Sequence, residues 1–572
     1  MEKIKNLKKL FKKNNIDGYI VPKNDEFFGE YIPENKDNLK FISKFSGSYG
    51  FALILKKKNY LFVDGRYTLQ ANIQCGDQFK IMTIPKKLPV DIIKNKKLSV
   101  GYDPKLYTEL MLVRLFQKSK CKLVPIENNL IDKLRKRKKI KKVNKFFTLE
   151  EKNVGVNHTK KISILSKKMN QNRIDLQFIS AAENVAWILN LRGRDGDFTP
   201  IPNSYLTIDN KKNINLFCDL KKIDRKIKLV LKNINIIEIK DIEKFLNKIK
   251  NKKIQIDRLS CSVLFKNILI KNNKIFELND MTYILKAIKN KIEIKNIKQS
   301  HISDGVALTK FLFWIKNNFK KKKITEISAQ EKLFRFRKQN KNFKMLSFPT
   351  ISGSGPNGAI IHYKADEKNN RLLREGDLYL VDSGGQYNFG TTDVTRTISL
   401  DNKSVKIKNI YTRVLQGHIA VADYKIKNST SGSEIDEAAR KPLNKIGLNY
   451  AHGTGHGVGY FLNVHEGPHG ISRGNKIKLQ EGMILSNEPG YYEKKKFGIR
   501  IENLVCIKKE KNKLKFENLT MAPIDKSLVV KKLLNKKEIK WVNDYHSNVF
   551  KKLKNFMNSS ELVELKTACS NI

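Results

Sequence analysis

Cysteine pairs and long apolar runs are both missing from this 572-residue chain. The six cysteines are scattered and form no CxxC pair, which excludes a disulfide scaffold or a zinc finger and predicts unpaired thiols in a reducing compartment. No eighteen apolar residues run together, and residues 1–20 read as an amphipathic helix leading into a strand, not as a signal peptide. These absences predict a soluble, cytoplasmic protein with no membrane partner.

Acidic residues are scarce relative to basic ones, 56 against 113, which gives a formal net charge of +57. Such an excess is typical of nucleic-acid-binding proteins. However, the lysines are not interleaved with aromatic residues as a single-strand-binding surface requires, and lysine, asparagine and isoleucine are abundant together, as AT-rich coding sequence would produce. We therefore expect no specific nucleic-acid partner, and only nonspecific adhesion to polyanions at low salt.

Two stretches of the amino-terminal half resemble each other. Each places an apolar strand before an acidic and aromatic segment, and each closes with a strand ending in Asp, at 61–64 and 216–219. This self-similarity predicts two related α/β domains in tandem, at 1–140 and 141–290. The basic run at 133–147 would repel itself in a core, so we interpret it as a solvated linker between them.

A third unit begins near residue 290. Apolar residues at helical spacing predict a helix in which His301 is a packing residue, and Thr325 is the predicted N-cap of a second helix over 325–339. Short strands separated by Gly-rich turns follow, which favours an α+β domain at 291–510 with helices packed on a curved antiparallel sheet. The extension at 511–572 contains an amphipathic helix expected to dock onto that domain.

Five potential metal ligands follow one another in this third unit. Asp382 ends an apolar strand and is predicted to face Asp393 across a hairpin, while His456 lies in a Gly-rich segment and Glu488 precedes a Pro-Gly turn. Glu502 completes the set. Carboxylates with one imidazole suit Mn, Co, Fe or Zn, and about four negative charges can balance two divalent cations. Two such ions can share a hydroxide at neutral pH, which predicts a hydrolase site.

Two rival interpretations concern neighbouring segments. The glycines of SGSGPNGA at 352–359 match a phosphate-binding spacing, but the segment leads into a predicted strand, AIIHY at 359–363, where a dinucleotide site needs a helix. We therefore exclude a nucleotide site. Arg500 and Glu502 share a face of a predicted strand, so a surface ion-pair ladder is the alternative to a functional role.

At the level of motifs the chain resembles a known family. GPNGAIIHY, VDSGGQY, TTDVTRT, HGTGHGVGYFLNVHEGP, NEPGYY and GIRIENL together resemble the Xaa-Pro aminopeptidases (aminopeptidase P) of the pita-bread metallopeptidase group. FISKFSGSYG, FVDGRYTLQA and NVAWILNLRGRD resemble the two amino-terminal creatinase-like domains of its long, three-domain form. The resemblance implies two tandem α/β domains followed by an α+β pita-bread catalytic domain. Lys44 and Gly196 depart from the family pattern, outside the predicted metal site.

The resemblance also assigns roles to matching residues. It implies two divalent ions, most often Mn with Co, Zn or Fe as alternatives, with Asp393 and Glu502 as bridging ligands. The metal ligands would be Asp382, Asp393, His456, Glu488 and Glu502. The catalytic residues would be His362, His465 and Glu488, the last as a proton shuttle to the proline nitrogen. The substrate-binding residues would be Arg66, His362, His452, His465 and Arg500.

The activity implied is hydrolysis of the first peptide bond of peptides with proline at the second position, through a hydroxide bridging the two metal ions. Proline contributes a tertiary amide without an N–H, so a dedicated pocket is needed. Prolidase, restricted to Xaa-Pro dipeptides, is the close alternative, and a catalytically dead peptidase-like module that binds proteins is a distant one. A homodimer is expected from the family.

Overall fold

The computed structural model describes residues 2–135 and 143–572, which divide into an amino-terminal unit, Met1–Tyr283, and a carboxy-terminal unit, Ile284–Ile572. The central residues of the predicted linker, 136–142, lie outside the described residues. In those described parts, no helix is both long enough and apolar enough to cross a membrane. All six cysteines are free thiols, and five of them are buried.

The first sheet of the amino-terminal unit has six strands in the order β4-β3-β2-β1-β5-β6. They are β1 (Gly18–Pro22), β2 (Phe51–Leu55), β3 (Asn59–Asp64), β4 (Lys80–Ile84), β5 (Ser99–Tyr102) and β6 (Lys122–Pro125). The helices beside it are α1 (Glu2–Lys13), α2 (Asn38–Ser43), α3 (Thr68–Cys75), α4 (Pro89–Ile93) and α5 (Glu109–Phe116). Helix α1 buries Ile4, Leu7 and Phe11, which confirms the predicted amphipathic helix.

The second sheet repeats this plan in the order β12-β11-β10-β8-β13-β14. The strands of this region are β7 (Phe147–Thr148), β8 (Leu176–Ile179), β9 (Leu191–Arg192), β10 (Tyr205–Asp209), β11 (Ile214–Cys218), β12 (Asn235–Glu238), β13 (Lys253–Asp257) and β14 (Lys274–Leu278). Its helices are α6 (Glu151–Val154), α7 (His158–Gln171), α8 (Ala182–Leu189), α9 (Arg225–Val230), α10 (Ile242–Asn247), α11 (Val263–Ile270) and α12 (Thr282–Ala287).

The two sheets agree in strand direction as well as in order. In each sheet the two central hairpin pairs are antiparallel, β1–β2 and β2–β3 in the first, β8–β10 and β10–β11 in the second. The remaining three pairs of each sheet are parallel. The predicted tandem α/β repeat is thereby confirmed.

Two helices open the carboxy-terminal unit, α13 (Lys291–Asn318) and α14 (Glu326–Lys338). The predicted N-cap is confirmed, because the Thr325 hydroxyl accepts from the Ser328 N–H. His301 lies fully buried on α13 and its Nδ1 donates to the Ile297 carbonyl at 2.8 Å, as a packing histidine would.

The strands that follow pair only antiparallel with one another, as expected for a curved α+β sheet system. They are β15 (Phe343–Leu346), β16 (Ile351–Ser354), β17 (Leu378–Ser383), β18 (Gly385–Tyr387), β19 (Gly390–Thr391), β20 (Val394–Ser399), β21 (Gly455–Gly457), β22 (Glu466–Ile471), β23 (Ile484–Asn487), β24 (Gly490–Glu493), β25 (Phe497–Arg500), β26 (Asn503–Glu510) and β27 (Lys513–Asn518). The remaining helices are α15 (Val405–Ala422), α16 (Gly432–Asn444), α17 (Lys536–Leu553) and α18 (Ser559–Ala568).

The carboxy-terminal helices complete one apolar core with α15. Val542 and Val549 of α17 and Leu565 of α18 are buried in the same cluster as Ile410 and Val414 of α15. The amphipathic helix predicted near the carboxy terminus therefore docks onto this unit, as expected.

One predicted strand is wrong. Residues 355–359 form a short 3-10 helix and residues 360–362 a turn, in place of the strand expected over 359–363. Gly355 turns the backbone with φ +53°. The Glu326 carboxylate then accepts from the Ser354 N–H at 2.7 Å, from the Asn357 amide at 3.0 Å and from the Tyr363 hydroxyl at 2.7 Å. Because these donors surround a single carboxylate, the segment curls round it and cannot run extended.

Candidate metal centre

Antiparallel pairing of β17 with β20 brings the first two acidic residues together. Asp382 in β17 is paired with Thr395 in β20, and Asp393 lies immediately before β20. Both are buried, with 8% and 4% of their surface exposed. The two carboxylates therefore meet on one strand pair, and the short strands β18 and β19 form the connection between them.

His456 lies in one strand, and Glu488 lies directly after the neighbouring strand. His456 lies in β21, which pairs with β23, and Glu488 follows the last residue of β23. The His456 Nδ1 donates to the Gly457 carbonyl at 2.9 Å. In a neutral imidazole this leaves Nε2 as the lone-pair nitrogen, the arrangement that suits a metal ligand. Nε2 lies 3.3 Å from Asp393 Oδ2 and 3.6 Å from Glu488 Oε1.

Glu502 enters from the link between β25 and β26 and is 1% exposed. The Thr395 hydroxyl donates to its Oε2 at 2.8 Å, and its own N–H donates to the Thr395 carbonyl at 3.2 Å. One ligand atom each of Asp393, His456 and Glu502 lies within 4.8 Å of the other two. Glu488 joins this group through its contact with His456.

The centre is electrostatically unbalanced. Burial raises the pKa of Asp382, Glu488 and Glu502, and the charges of the neighbouring carboxylates raise each further. Burial opposes protonation of His456, yet Asp393 and Glu488 outweigh it and raise its pKa to about 9. Cations would stabilise a cluster in which Asp382, Glu488 and Glu502 all hold their protons more tightly than usual.

The hydrogen bonds of the Asp382 carboxylate also indicate that the cluster needs additional positive charge. Asp382 Oδ2 accepts from Arg500 Nη2 at 2.5 Å, but Asp382 Oδ1 is buried and receives no hydrogen bond from any described residue. Four carboxylates and the single charge of Arg500 leave three negative charges when His456 is neutral. The donor set of carboxylate oxygens with one imidazole therefore fits divalent ions.

Two residues that sequence reasoning missed connect the centre. The Arg500 Nη1 donates to the Tyr492 hydroxyl at 2.6 Å, and this hydroxyl donates to His452 Nε2 at 2.9 Å. The Thr395 hydroxyl accepts from Arg500 Nε at 3.1 Å while donating to Glu502. Thr395 could have been found by its period-2 spacing from Asp393, whereas the Gly-Tyr-Tyr motif gave no signal for Tyr492 beyond its place beside Glu488.

The remaining predicted residues lie at different distances from the cluster. His465 is exposed and its ring centroid is 4.2 Å from that of His456. His362 follows Ile361, whose carbonyl lies 3.5 Å from Arg500 Nη2. Arg66 belongs to the amino-terminal unit, where its guanidinium pairs with Asp64 at 2.7 Å. Its role at the metal centre stays a prediction.

Comparison with family models covers almost the whole chain. Residues 295–509 match metallopeptidase family M24, and residues 512–572 match the C-terminal region of peptidase M24. Residues 3–137 and 136–293 match two models of the creatinase/prolidase N-terminal domain. These matches confirm the predicted fold class.

Individual relatives agree. Xaa-Pro aminopeptidase 1 of Dictyostelium discoideum is 39% identical over 587 residues, covering 96% of this chain and 93% of that protein. The crystal structure of X-prolyl aminopeptidase from Caenorhabditis elegans, described as a cytosolic enzyme with a di-nuclear active site, superposes with a TM-score of 0.95 at 31% identity, covering 100% of this chain and 99% of that one. Prolidase from Pyrococcus furiosus is 26% identical with a TM-score of 0.50, covering 62% of this chain and 98% of that one. The chain thus belongs to metallopeptidase family M24, in its Xaa-Pro aminopeptidase group with two creatinase-type amino-terminal domains.

Proposed function

We propose that this chain is a dinuclear-metal Xaa-Pro aminopeptidase, which releases the first residue of peptides that carry proline at position two. The observation that carries the proposal is the cluster of Asp393, His456 and Glu502, whose ligand atoms lie within 4.8 Å of one another. The buried Asp382 and the half-buried Glu488 lie beside this cluster. The relatives that match the full length of the chain bear the name of this activity.

The five ligands divide into two sets around a shared pair. Asp393 and Glu502 would bridge the two ions, Asp382 would complete one site, and His456 with Glu488 the other. When bound, two divalent ions supply a shared hydroxide nucleophile and polarise the scissile carbonyl. We propose Mn as the native metal, since oxygen-rich ligands with one imidazole suit it.

Glu488 is the proposed shuttle that carries a proton to the proline nitrogen. Its side chain remains 19% exposed and its Oε1 accepts from the Ser486 hydroxyl at 3.1 Å. The leaving proline nitrogen must gain a proton as the C–N bond breaks, because an unprotonated nitrogen anion is a very poor leaving group. A carboxylate at the mouth of the cluster can take a proton from the nucleophile and deliver it to that nitrogen.

The histidines and arginines around the cluster are the proposed substrate-binding residues. His465 is exposed beside His456, so its imidazole can donate to the substrate carbonyl oxygen together with His362. The Arg500–Tyr492–His452 chain of hydrogen bonds holds Asp382 and the His452 ring in place. Arg66 would contact the peptide from the first domain. A homodimer is proposed on the family resemblance. A cytosolic location is proposed because the X-prolyl aminopeptidase of Caenorhabditis elegans is described as a cytosolic enzyme.

The experiment that tests this function compares three substrates on the Mn-loaded protein. Arg-Pro-Pro, an Xaa-Pro dipeptide and an Xaa-Ala-Yaa tripeptide are offered side by side, and the released amino acids are quantified. Cleavage of Arg-Pro-Pro alone is expected. Preference for the dipeptide would establish a prolidase, cleavage of the alanine peptide a general aminopeptidase, and no cleavage at all a catalytically dead module.

A further inference from the structure

Arg396, three residues after Asp393, has a fully buried guanidinium. Its Nε donates to the Pro523 carbonyl at 2.9 Å. Its Nη1 donates to the carbonyls of Thr395 at 2.8 Å and Glu502 at 2.6 Å. Its Nη2 donates to the Asn503 side chain, the Ala522 carbonyl and the Tyr545 hydroxyl, at 2.8, 2.8 and 2.7 Å. All six acceptors are neutral groups.

These acceptors belong to two different parts of the carboxy-terminal unit. Thr395, Glu502 and Asn503 belong to the backbone that carries the predicted bridging ligands. Ala522, Pro523 and Tyr545 belong to the segment after β27 and to α17, both within the carboxy-terminal region that matches its own family model. Arg396 therefore ties the metal centre to the carboxy-terminal region.

The carboxy-terminal side of this tie is itself fixed. The Tyr545 hydroxyl donates to the Ala522 carbonyl at 2.6 Å, and the neighbouring His546 Nε2 accepts from the Ile524 N–H at 3.1 Å. Asp525 Oδ2 accepts from the Ser399 N–H at the end of β20, at 3.0 Å. Segment 522–525 is thus bonded to α17 at Ala522 and Ile524, and to β20 at Asp525.

We infer that α17, acting through Tyr545 and Arg396, positions the two bridging carboxylates of the metal centre. A pair of ions tolerates ligand displacements of only a few tenths of an ångström, about ±0.2 Å. Arg396 bonds the carbonyl of Thr395, whose hydroxyl orients Glu502, and it also bonds the carbonyl of Glu502 itself. It therefore sets the separation between β20 and the segment that carries Glu502. Loss of a group that holds a metal ligand in place typically weakens metal binding by about 10- to 100-fold.

The proposal predicts that removing one hydroxyl from α17 weakens metal binding at the other end of the network. In Tyr545→Phe, Arg396 Nη2 loses one acceptor, and the Ala522 carbonyl loses the Tyr545 hydroxyl while it keeps Arg396 as a donor. We expect the Kd of the metal-depleted protein for Mn²⁺, measured by titration with free Mn²⁺ followed by electron paramagnetic resonance, to rise about 10-fold. The kcat for Arg-Pro-Pro should fall while its KM stays unchanged, because Tyr545 does not touch the peptide.

Tyr107→Phe is the matched control. Tyr107 is also fully buried, and its hydroxyl has no hydrogen-bond partner in the amino-terminal unit. Its Mn²⁺ affinity should equal that of wild type. Arg396→Lys is the second variant, since it keeps the charge and loses the fork of donors, and its Mn²⁺ affinity should fall at least as far as that of Tyr545→Phe.

Wild-type Mn²⁺ affinity in Tyr545→Phe, with only the melting temperature lowered, would overturn the inference and leave the network a structural one. The inference rests on the proposed metal centre, so a wild-type protein that binds no Mn²⁺ would overturn both. A wild-type protein that binds Mn²⁺ but does not cleave Arg-Pro-Pro would refute the peptidase activity alone, and the Mn²⁺ titrations would still decide the role of α17.

Discussion

Asp280 in the amino-terminal unit and Asp382 in the carboxy-terminal unit are both buried, at 3% and 8% exposure. Asp280 Oδ1 accepts from the Gln177 amide at 2.9 Å and from the Thr282 N–H at 2.8 Å, while its Oδ2 accepts from the Asn184 amide at 2.8 Å. Asp382, by contrast, has one oxygen bonded to Arg500 and one with no partner. The first carboxylate is satisfied by the fold, and the second is not.

The two regions also differ in the electrostatics of their buried acids. Burial and the neighbouring carboxylates raise the pKa of Asp382 and Glu502. Keeping these groups ionised in the folded protein costs free energy unless bound cations neutralise them. A buried acid with a complete set of donors is a structural part of the fold, whereas a group of buried acids with too few donors is a site built for cations. The predictions below test this distinction.

The largest effect is expected at the metal centre. Glu488→Ala removes both a ligand and the proposed proton shuttle, so kcat/KM for Arg-Pro-Pro should fall by about 10²–10⁴-fold. The circular dichroism spectrum should stay that of wild type, because the Glu488 carboxylate contacts the Ser486 hydroxyl and His456, and its backbone bond to Thr454 survives the substitution. His456→Ala should behave alike. Activity above about 1% of wild type in Mn²⁺-saturated Glu488→Ala would refute this role.

Metal removal should destabilise the carboxy-terminal unit, increasingly as pH rises. Bound ions at about 100 times their Kd add about 2.7 kcal/mol, so chelation should lower the melting temperature of that unit by about 5 °C. Without metal, the His456 pKa is raised from 6.5 to about 9. A raised pKa stabilises the folded state below pH 6.5, and this contribution is lost as pH rises to about 9.

The raised carboxyl pKa values act in the same direction, so the metal-free protein loses stability with rising pH. The difference in melting temperature between Mn-loaded and chelated protein should therefore widen between pH 6.5 and 9, as differential scanning calorimetry would measure. A difference that narrows over this range would show that these groups are not the ones that metal replaces.

The smallest effect is expected from the amino-terminal acid. Asp280→Asn places an amide opposite the Gln177 and Asn184 donors, so the free energy of unfolding of the amino-terminal unit should fall by about 1–3 kcal/mol. Urea denaturation measures this change. Mn²⁺ affinity should be unchanged, since the fold already satisfies this carboxylate. A change in Mn²⁺ affinity would break the comparison between the two regions.

Local sequence indicated the five proposed ligands, because each lies near the end of a predicted strand or in a segment with a Gly-rich or Pro-Gly turn. The tandem repeat was likewise visible in matching strands, and the six-stranded sheets have the same order in both copies. The strand predicted at 359–363 was wrong because Glu326, about thirty residues earlier on α14, gathers the donors of that segment. A single-sequence pattern carries no information on such a distant carboxylate.

By itself, then, the sequence determined which side chains could bind metal and which segments form strands and helices, since short-range spacing and residue chemistry suffice for both. Only the tertiary structure decided how these groups are held. Tyr492 links Arg500 to His452. Arg396 in β20 bonds the Pro523 carbonyl and the Tyr545 hydroxyl of α17. The Arg396 bonds to Pro523 and Tyr545 join residues more than a hundred positions apart, and a buried neutral acceptor has no signature in the local sequence.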